Sequence, residues 1–420
     1  MSGSTFRVFC LALALALCCT CACGPPGGGE VSLKLPPWFV ATAFADGVGA
    51  ARHVVVAPNG DVYVALWDKG REKGGVVALR DTDGDGRADV RERFGEEGGS
   101  GLALGGDSLY FATWTTVYRY RLRPGELAPK SPPDIVLEGL PRSGHAARSI
   151  ALGRDGALYV NIAAPTNSCQ RADAERESPG IDPCPQLEQF GGVWRFDAAR
   201  THQRQSDGVR VATGLRNLVA LTVDPDDGAL YGVQHGRDYL AENWPRLYTP
   251  EQGAENAAEE FFRIEPGADY GWPYCYYDPR ARRKVLAPEY GGDGTAVGRC
   301  ADKRPPLLAF PAHWAPNGLL FYRGAQFPAR FRRGAFVAFH GSWFRTPFEQ
   351  QGFNVVFVPF DGGRPAGDYE VFADGFAGAT RHPDGARHRP VGLAEGPDGA
   401  LYVTDDRGGR VWRVTYNRPL

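Results

Sequence analysis

Arginine, histidine and asparagine side chains recur in this sequence directly ahead of a repeated hairpin pattern. Arginine pairs with carboxylates through parallel hydrogen bonds, and histidine takes up or releases a proton near neutral pH. Taken singly, each residue is more simply explained by a structural role. Together, a set rich in Arg and His with few acids predicts a multiply anionic ligand. The set consists of Arg52, His53, Ser100, His145, Arg216, Asn217, His313, Asn317, Arg387 and Arg389.

A second group with recognisable chemistry is the acidic stretch DTDGDGRAD, which begins at Asp81. Its spacing of carboxylates around a glycine turn is that of the first part of an EF-hand loop, so the stretch predicts a structural calcium site. The alternative is a solvated acidic turn. The predicted metal residues are Asp81, Asp83, Asp85, Arg87, Asp89 and Glu92, and Glu92 stands at position twelve of the loop.

The elements that must position these residues are indicated by one short phrase that the chain repeats. Alternating apolar residues after Asn-Gly or Asp-Gly, as in APNGDVYV and GPDGALYV, predict half-buried strands joined by a tight turn. The copies are far enough apart for one four-stranded blade each, so we predict an all-β, six-bladed β-propeller. The turn residues lie near Gly60, Asp107, Gly156, Gly228, Gly334 and Gly399.

A propeller lines its central channel with the first strand of each blade, and this geometry would gather the polar set at one channel mouth. Closure of the ring is expected to pair residues 31–43 with residues 411–416. Little helical periodicity competes with the strands, and residues 254–266 are the best short helical candidate.

The N-terminal residues read as a targeting segment. One basic residue, an apolar run from Val8 to Leu17 and small residues predict a signal peptide over 1–22, followed by a flexible linker over 23–32 and the propeller over 33–420. The sequence TCAC predicts lipidation at Cys23, with plain cleavage after Ala22 as the alternative. We therefore expect an exported protein of the periplasm or cell envelope, held at the membrane by lipid. A net charge of −2 argues against nucleic acid as a partner.

Four cysteines remain beyond this leader, and an even number in an exported chain predicts disulfides. The simplest pairing joins Cys169 to Cys184 and Cys275 to Cys300. Four free buried thiols are the alternative. No CxxCH motif for covalent haem is present in the sequence.

Several stretches, in their order along the chain, resemble the soluble quinoprotein glucose and sorbosone dehydrogenases. HAARSIALGRDGALYV resembles the segment that carries the family's catalytic histidine, GLRNLVALTVDPDDGALY its Arg-Asn pair, and GADYGWPYC its Tyr-Gly-Trp-Pro hallmark. HGSWFRTP and RPVGLAEGPDGALYVTDD most resemble the sorbosone dehydrogenase branch. The resemblance runs from Leu33 to Tyr416 and implies a six-bladed propeller that uses pyrroloquinoline quinone (PQQ) with calcium.

The resemblance also implies catalytic roles. His145 would be the general base that removes a hydroxyl proton while hydride leaves the same carbon. Arg216 and Asn217 would bind the cofactor and stabilise the quinone oxygen beside the carbon that receives the hydride. Arg389 would pair with one of the three cofactor carboxylates.

Some positions depart from the pattern of the glucose-oxidising branch. His340 stands near the position of a cofactor-binding Lys, where Arg345 would compensate, and Gly144 replaces an Asp. In VQHGRD, Gly236 and Arg237 would offer main-chain carbonyls to calcium. These departures argue against glucose as the substrate.

The sequence thus predicts PQQ-dependent oxidation of a sugar or sugar-derived aldehyde in the cell envelope. Without a haem motif, a separate electron acceptor is expected. One alternative is a non-catalytic envelope propeller that binds a glycan or a protein. The other is a calcium-dependent propeller lactonase, which would need acidic and amide metal ligands at the channel.

Overall fold

The computed structural model describes residues 32–142 and 144–417. The predicted signal peptide, the linker up to residue 31 and Cys23 lie outside this range. The first strand is β1 (Phe39–Ala45), and the strands that follow it form six antiparallel sheets with at least four strands each. These sheets are the blades of a six-bladed β-propeller, as predicted.

The first three blades follow one another along the chain. Blade 1 is made of β2 (Ala51–Val56), β3 (Val62–Leu66), β4 (Gly75–Arg80) and β5 (Val90–Phe94). Blade 2 is made of β6 (Gly99–Gly105), β7 (Ser108–Thr113), β8 (Val117–Arg121) and β9 (Asp134–Leu137). Blade 3 is made of β10 (Ile150–Leu152), β11 (Ala157–Ile162), β12 (Gly192–Asp197) and β13 (Val209–Thr213).

The last three blades carry more irregular connections. Blade 4 is made of β14 (Ala220–Val223), β15 (Leu230–Gln234), β16 (Glu259–Arg263) and, after a hairpin of β17 (Cys275–Asp278) and β18 (Arg283–Leu286), β19 (Leu308–Phe310). Blade 5 is made of β20 (Pro316–Tyr322), β21 (Gly334–Phe339), β22 (Asn354–Asp361), the short β23 (Arg364–Pro365) and β24 (Glu370–Ala373). Blade 6 is made of β25 (Pro390–Glu395), β26 (Leu401–Asp405), β27 (Arg410–Tyr416) and β1.

Helix is scarce in the described residues. The α-helices are α1 (Leu240–Asn243) and α2 (Pro250–Glu255), and single 3₁₀ turns occupy Pro185–Glu188, Gln205–Asp207, Pro288–Tyr290, Gly298–Cys300 and Ala329–Phe331. No helix in the described part of the chain is long and apolar enough to cross a membrane.

The repeated phrase is the hairpin that joins the first two strands of each blade. In blade 1, Val56 pairs with Val62 across the turn, and in blade 6 Glu395 pairs with Leu401. The turn glycine Gly60 has a φ of 92° and Gly399 a φ of 81°, a left-handed conformation that residues with a side chain rarely adopt. The predicted hairpins are therefore confirmed in every blade except blade 5, where residues 323–333 separate β20 from β21 and Gly334 begins β21 instead of occupying a tight turn.

The ring is closed by strands from opposite ends of the sequence. β1 pairs antiparallel with β27, so that Phe39 lies opposite Tyr416 and Thr42 opposite Arg413. The Phe39 ring packs edge-on against Phe327, with 4.8 Å between the ring centroids. Closure is confirmed, although the paired strand begins at Phe39 rather than at residue 31.

The predicted helix over 254–266 is wrong. Helix α2 ends at Glu255, and Glu259–Arg263 form strand β16, which pairs with β15 on one side and β19 on the other. Phe261 and Phe262 are both buried, because blades pack against both faces of this sheet. Pairing on two edges and burial on two faces outweigh local helix propensity.

Two disulfides brace the long connections of blades 3 and 4. Cys169 is bonded to Cys184 and Cys275 to Cys300, so the predicted pairing is confirmed. The two insertions also contact each other, since the Trp272 indole donates to the Asn167 carbonyl over 2.9 Å. These cross-linked connections lie at the end of the channel where the inner strands begin.

Candidate functional site

A cavity of about 320 Å³ opens at this end of the channel. Seven of the ten residues in the predicted polar set line it, together with the predicted His340. Of the other three, His53 lines a second cavity along the channel, Ser100 accepts a hydrogen bond from the main chain of Arg148, and Arg387 lines neither cavity. The polar lining is Arg52, His145, Arg216, Asn217, His235, Asp238, Glu259, His313, Asn317, His340, Arg389 and Asp406.

His145 lies in the connection that leads into β10, and its ring is held by the main chain. Nδ1 is 2.6 Å from the carbonyl oxygen of Ala164. A carbonyl oxygen only accepts, so the proton of the neutral ring is on Nδ1 and the lone pair is on Nε2. Burial and then the charge of Arg216 lower the pKa of His145 to about 4. The imidazole is therefore neutral at physiological pH, which is the form that a general base requires.

Arg216 is held by an acidic partner that the sequence analysis did not single out. Its Nη1 donates to the Gly236 carbonyl over 2.8 Å and its Nη2 to the Asp238 carboxylate over 2.9 Å. Burial opposes ionisation of Asp238, but Arg216 and His313 outweigh it and hold the pKa of that carboxyl below its ordinary value. The guanidinium is thereby fixed in the cavity wall.

His313 completes this chain as a cation. Its Nδ1 is 3.1 Å from an oxygen of Asp238, and its Nε2 is 3.0 Å from the Gly253 carbonyl. Both neighbours are acceptors, so only the doubly protonated ring donates to both. Burial opposes that charge, but Asp238 and the Gly253 carbonyl raise the pKa of His313 above its ordinary value.

A second ion-pair cluster occupies another part of the cavity. Asp406 accepts from Arg52 over 2.7 Å, and its other oxygen is 2.8 Å from Nε2 of His340. Burial lowers the pKa of His340, and Asp406 offsets this only in part. Arg52 also lies 4.0 Å from the ring centroid of Trp67.

Arg389 is the arginine of the cavity without a carboxylate partner among the described residues. Its Nε donates to the His340 carbonyl and its Nη2 to the Gly341 carbonyl, each over 2.9 Å. Burial lowers the pKa of Arg389 to about 10, so the side chain stays charged at neutral pH. An anionic ligand in the cavity could therefore pair directly with this guanidinium.

Glu259, at the start of β16, is a third carboxylate of the cavity. It is 2% exposed, and it accepts the main-chain N–H of Gly236 over 2.7 Å and that of Ala315 over 3.0 Å. Burial raises the pKa of Glu259 to about 7. The side chain thus links two connections that form the cavity wall.

The three carboxylates correct the expectation of a mouth with few acids. Asp238 lies within the connection after β15, Glu259 begins β16 at the end of that connection, and Asp406 follows β26. In each blade the second strand ends at the same mouth at which the first begins. Reading the residues after each second strand, as well as those before each first strand, would have found Asp238 and Asp406.

Other predicted residues lie elsewhere. The Arg345 guanidinium donates to the Ala254 and Ala312 carbonyls and does not line the cavity. The Arg237 side chain is buried against Glu289, at 2.5 Å, and also does not line it. Asn217 does line the cavity, and its buried Oδ1 has no hydrogen-bond donor among the described residues.

The acidic loop lies between β4 and β5, at the opposite end of the blade. Side-chain oxygens of Asp81, Asp83 and Asp89 lie within 4.8 Å of one another, the only such group of His, Cys, Asp or Glu in the described residues. Asp85 is outside this group, and Glu92 is carried away on β5, where it pairs with Ala78. Three of the predicted ligands are therefore gathered, and Glu92 is not.

Comparisons with known proteins agree with the fold. The chain is 18% identical to a calcium structure of the Trichoderma reesei Carbohydrate-Active Enzymes Family AA12, with a TM-score of 0.75, covering 92% of this chain and 98% of that one. It is also 18% identical to the holo PQQ domain of pyranose dehydrogenase from Coprinopsis cinerea, with a TM-score of 0.74, covering 92% and 97%. At such identities the likeness establishes the fold.

Sequence relatives cover less of the chain. An uncharacterized protein of Borreliella burgdorferi is 30% identical over 209 residues, which are 50% of this chain and 49% of that protein. The PQQ-dependent pyranose dehydrogenase of Coprinopsis cinerea is 28% identical over 233 residues, which are 48% of this chain and 30% of that enzyme. The alignments thus span half or less of the curated relatives.

The fold and the Arg-His-Asn mouth define the class of propeller to which the quinoprotein sugar dehydrogenases belong, as the sequence predicts. Within that class, the chain belongs to the TrAA12-like family, which it matches over residues 33–417. A place nearest the sorbosone dehydrogenase branch stays a prediction.

Proposed function

We propose that the protein is a PQQ-dependent dehydrogenase that oxidises a sugar or sugar-derived aldehyde in the cell envelope, with His145 as the general base. The observation that carries this proposal is the hydrogen bond from His145 Nδ1 to the Ala164 carbonyl, at 2.6 Å, in the same cavity as Arg216. It directs the proton of the neutral ring to the nitrogen that does not serve as the base.

The cavity fits the quinone in charge and in its unsatisfied groups. Its volume of about 320 Å³ is near the lower end of the range usual for small-molecule sites. The Arg389 charge has no carboxylate partner, and Nε of Arg216 and Oδ1 of Asn217 are buried without a partner, among the described residues. We assign these three residues, with His340, to cofactor binding.

The assignment of calcium to the main chain of Gly236 and Arg237 has one condition. The Gly236 carbonyl accepts from the Arg216 guanidinium at 2.8 Å, and a guanidinium at that distance repels a cation. Calcium at this carbonyl would therefore have to displace the hydrogen bond from Arg216 Nη1, while Asp238 still holds Nη2. When bound, PQQ supplies a hydride acceptor and calcium polarises its quinone.

The chain's own residues contribute proton transfer and positioning. Nε2 of His145 accepts the hydroxyl proton of the substrate while hydride leaves the same carbon. Asp238 holds Arg216, whose positive charge stabilises the negative charge that develops next to it. Re-oxidation then needs a separate electron acceptor, since the sequence contains no CxxCH haem motif.

Two alternatives give different experimental results. A calcium-dependent lactonase needs metal ligands at the channel, but among the described residues the close acidic group is Asp81, Asp83 and Asp89, outside the cavity. A non-catalytic propeller would bind a glycan or a protein without redox chemistry.

Addition of PQQ and calcium to the purified protein tests the proposal. We expect a cofactor absorption band and sugar-dependent reduction of an artificial electron-accepting dye. A protein that binds quinone without reducing dye on any sugar contradicts the dehydrogenase, and one that gains neither property favours a binding module.

A further inference from the structure

A groove of about 370 Å³ lies beside the mouth cavity, between the connections of blades 1 and 2. It shares Trp67 with that cavity, so the two spaces adjoin at this side chain. The side chains that matter for its chemistry are Trp67, Asp68, Lys73, Glu97, Trp114 and Arg142.

Trp114 provides an open aromatic surface in this groove. It follows β7, and its side chain is 38% exposed. The Arg142 guanidinium lies 5.4 Å from its ring centroid. The guanidinium therefore lies over one face of the ring, and both side chains line the groove.

The groove wall is fixed from behind by a buried arginine. Arg148 donates to the Trp114 carbonyl over 2.8 Å and to the Pro141 carbonyl over 2.7 Å. Trp114 and Arg142, the residue after Pro141, both line the groove. Arg148 thus fixes the main chain at two points of the groove wall, and such preorganisation lowers the cost of binding.

Trp67, at the junction of groove and cavity, has an unused donor. Its Nε1 is buried and has no hydrogen-bond acceptor among the described residues. A buried N–H without a partner is costly, so a ligand oxygen that reached it would gain a hydrogen bond. Trp67 borders both the cavity and the groove, so a ligand beside it in one space lies next to the other.

The chemistry of the groove suits a neutral polyhydroxyl ligand. Asp68 and Glu97 balance Lys73 and Arg142, so the groove favours neither anions nor cations, and all four side chains can bond to hydroxyl groups. A pyranose ring presents apolar C–H groups on its face and hydroxyls at its rim. The Trp114 face and the surrounding charged groups match these two features.

We propose that this groove is a second sugar subsite, which makes the substrate class disaccharides and longer saccharides. The reacting unit would occupy the mouth cavity, the next unit would stack on Trp114, and the oxygen between them would lie near Trp67 Nε1. This inference rests on the proposed function for the identity of the reaction, but the binding itself does not depend on the cofactor.

Binding is therefore measured first without PQQ. Tryptophan fluorescence titrations compare glucose with cellobiose, cellotetraose, maltose and maltotetraose. We expect at least one oligosaccharide to bind roughly tenfold or more tightly than glucose, and Trp114→Ala to remove that advantage. Trp38→Ala is the matched control, because Trp38 is 54% exposed and lines neither space.

Activity provides the second measurement. With PQQ and calcium, Trp114→Ala should lower kcat/KM for the favoured oligosaccharide about tenfold and leave that for glucose within twofold. Arg142→Ala should act in the same direction. Melting temperatures of the variants check their folding.

The outcomes separate the two proposals. Equal affinity of wild type for glucose and every oligosaccharide, or an oligosaccharide preference that Trp114→Ala and Arg142→Ala both retain, overturns the subsite. Absence of dye reduction on all sugars overturns the proposed dehydrogenase, while the fluorescence titration still decides on the groove.

Discussion

The two ends of the propeller channel differ in both construction and chemistry. The end opposite the mouth contains the larger cavity, about 540 Å³, and its lining comes from the same short stretch of all six inner strands. That lining is mainly aliphatic, with His53 and Glu395 as its titratable groups. The mouth cavity is smaller, about 320 Å³, yet contains two ion-pair clusters, the neutral His145 and the buried Glu259. The larger cavity is therefore not the one that contains the charged and titratable side chains.

The two ends of the channel differ because the connections between strands are short at one end and long at the other. At the far end, the first two strands of the blades are mostly joined by tight hairpins, such as the turn with Gly60. At the mouth, β11 and β12 are separated by residues 163–191, and β15 and β16 by residues 235–258. The repeated hairpins form the regular part of the propeller, and the long irregular connections contribute the charged side chains at the mouth.

The largest effect is expected at the mouth, from His145→Ala. Loss of a general base should reduce turnover roughly 10²–10⁴-fold at saturating PQQ. Quinone binding should remain, since His145 is assigned to the substrate proton. Full turnover in this variant contradicts the mechanism, and restoration of turnover by excess PQQ would instead assign His145 to cofactor binding.

The next largest effect is expected on PQQ binding, which should differ between variants of Arg389 and Arg345. Arg389→Ala should weaken PQQ binding by about 10- to 100-fold, because it removes a charge-assisted pair with a carboxylate. Arg345→Ala is the control, since that guanidinium bonds to the Ala254 and Ala312 carbonyls outside the cavity. A quinone titration of both variants that shows equal losses would contradict the assignment of Arg389 to the cofactor.

Glu259 predicts a pH dependence of stability. Burial raises its pKa from 4.5 to about 7 in the folded protein. The folded state then holds the proton more tightly than the unfolded chain does. The contribution of Glu259 to the unfolding free energy is therefore fully present below about pH 4.5 and is lost as the pH rises to about 7. The loss amounts to about 3 kcal/mol. Glu259→Gln should flatten the pH profile of the unfolding free energy in that window. An unchanged slope would contradict the shifted pKa.

The acidic loop predicts a smaller effect at the far end. Calcium that binds only the folded state stabilises it by mass action, by about 1–3 kcal/mol of unfolding free energy. A chelator should therefore lower the melting temperature of wild type by a few degrees. Asp83→Ala should abolish that response, whereas the exposed Asp368→Ala should keep it. Full chelator sensitivity in Asp83→Ala would mean that another site binds the metal.

The smallest effect is expected from Thr222→Val. Thr222 lines the cavity at the far end, and the change removes a hydroxyl while preserving shape. Turnover and PQQ affinity should stay within about twofold of wild type, as for surface-like changes remote from a site. A larger loss would show that chemistry extends along the whole channel.

The parts of the fold that depend on local sequence were predictable. Turn glycines and alternating apolar residues identify the hairpin of each blade, and residues just before each inner strand, such as His145 and Arg216, are found by position. The partners were not predictable, because Asp238 reaches Arg216 only through the course of a long connection. Strand β16 was not predictable because both of its pairing partners are distant in sequence. Residues 235–258 separate it from β15, and residues 264–307 separate it from β19.

Ring closure also determines when the first strand can pair during synthesis of the chain. Thr42 donates to the Arg413 carbonyl across 371 positions of sequence, so the first strand to be synthesised is the last to find its partner. Until residue 416 is available, β1 and the edge of β27 cannot pair, and such long-range contacts form late. An unfinished ring leaves open strand edges that invite aggregation. The ring therefore cannot close until synthesis has reached the last strand.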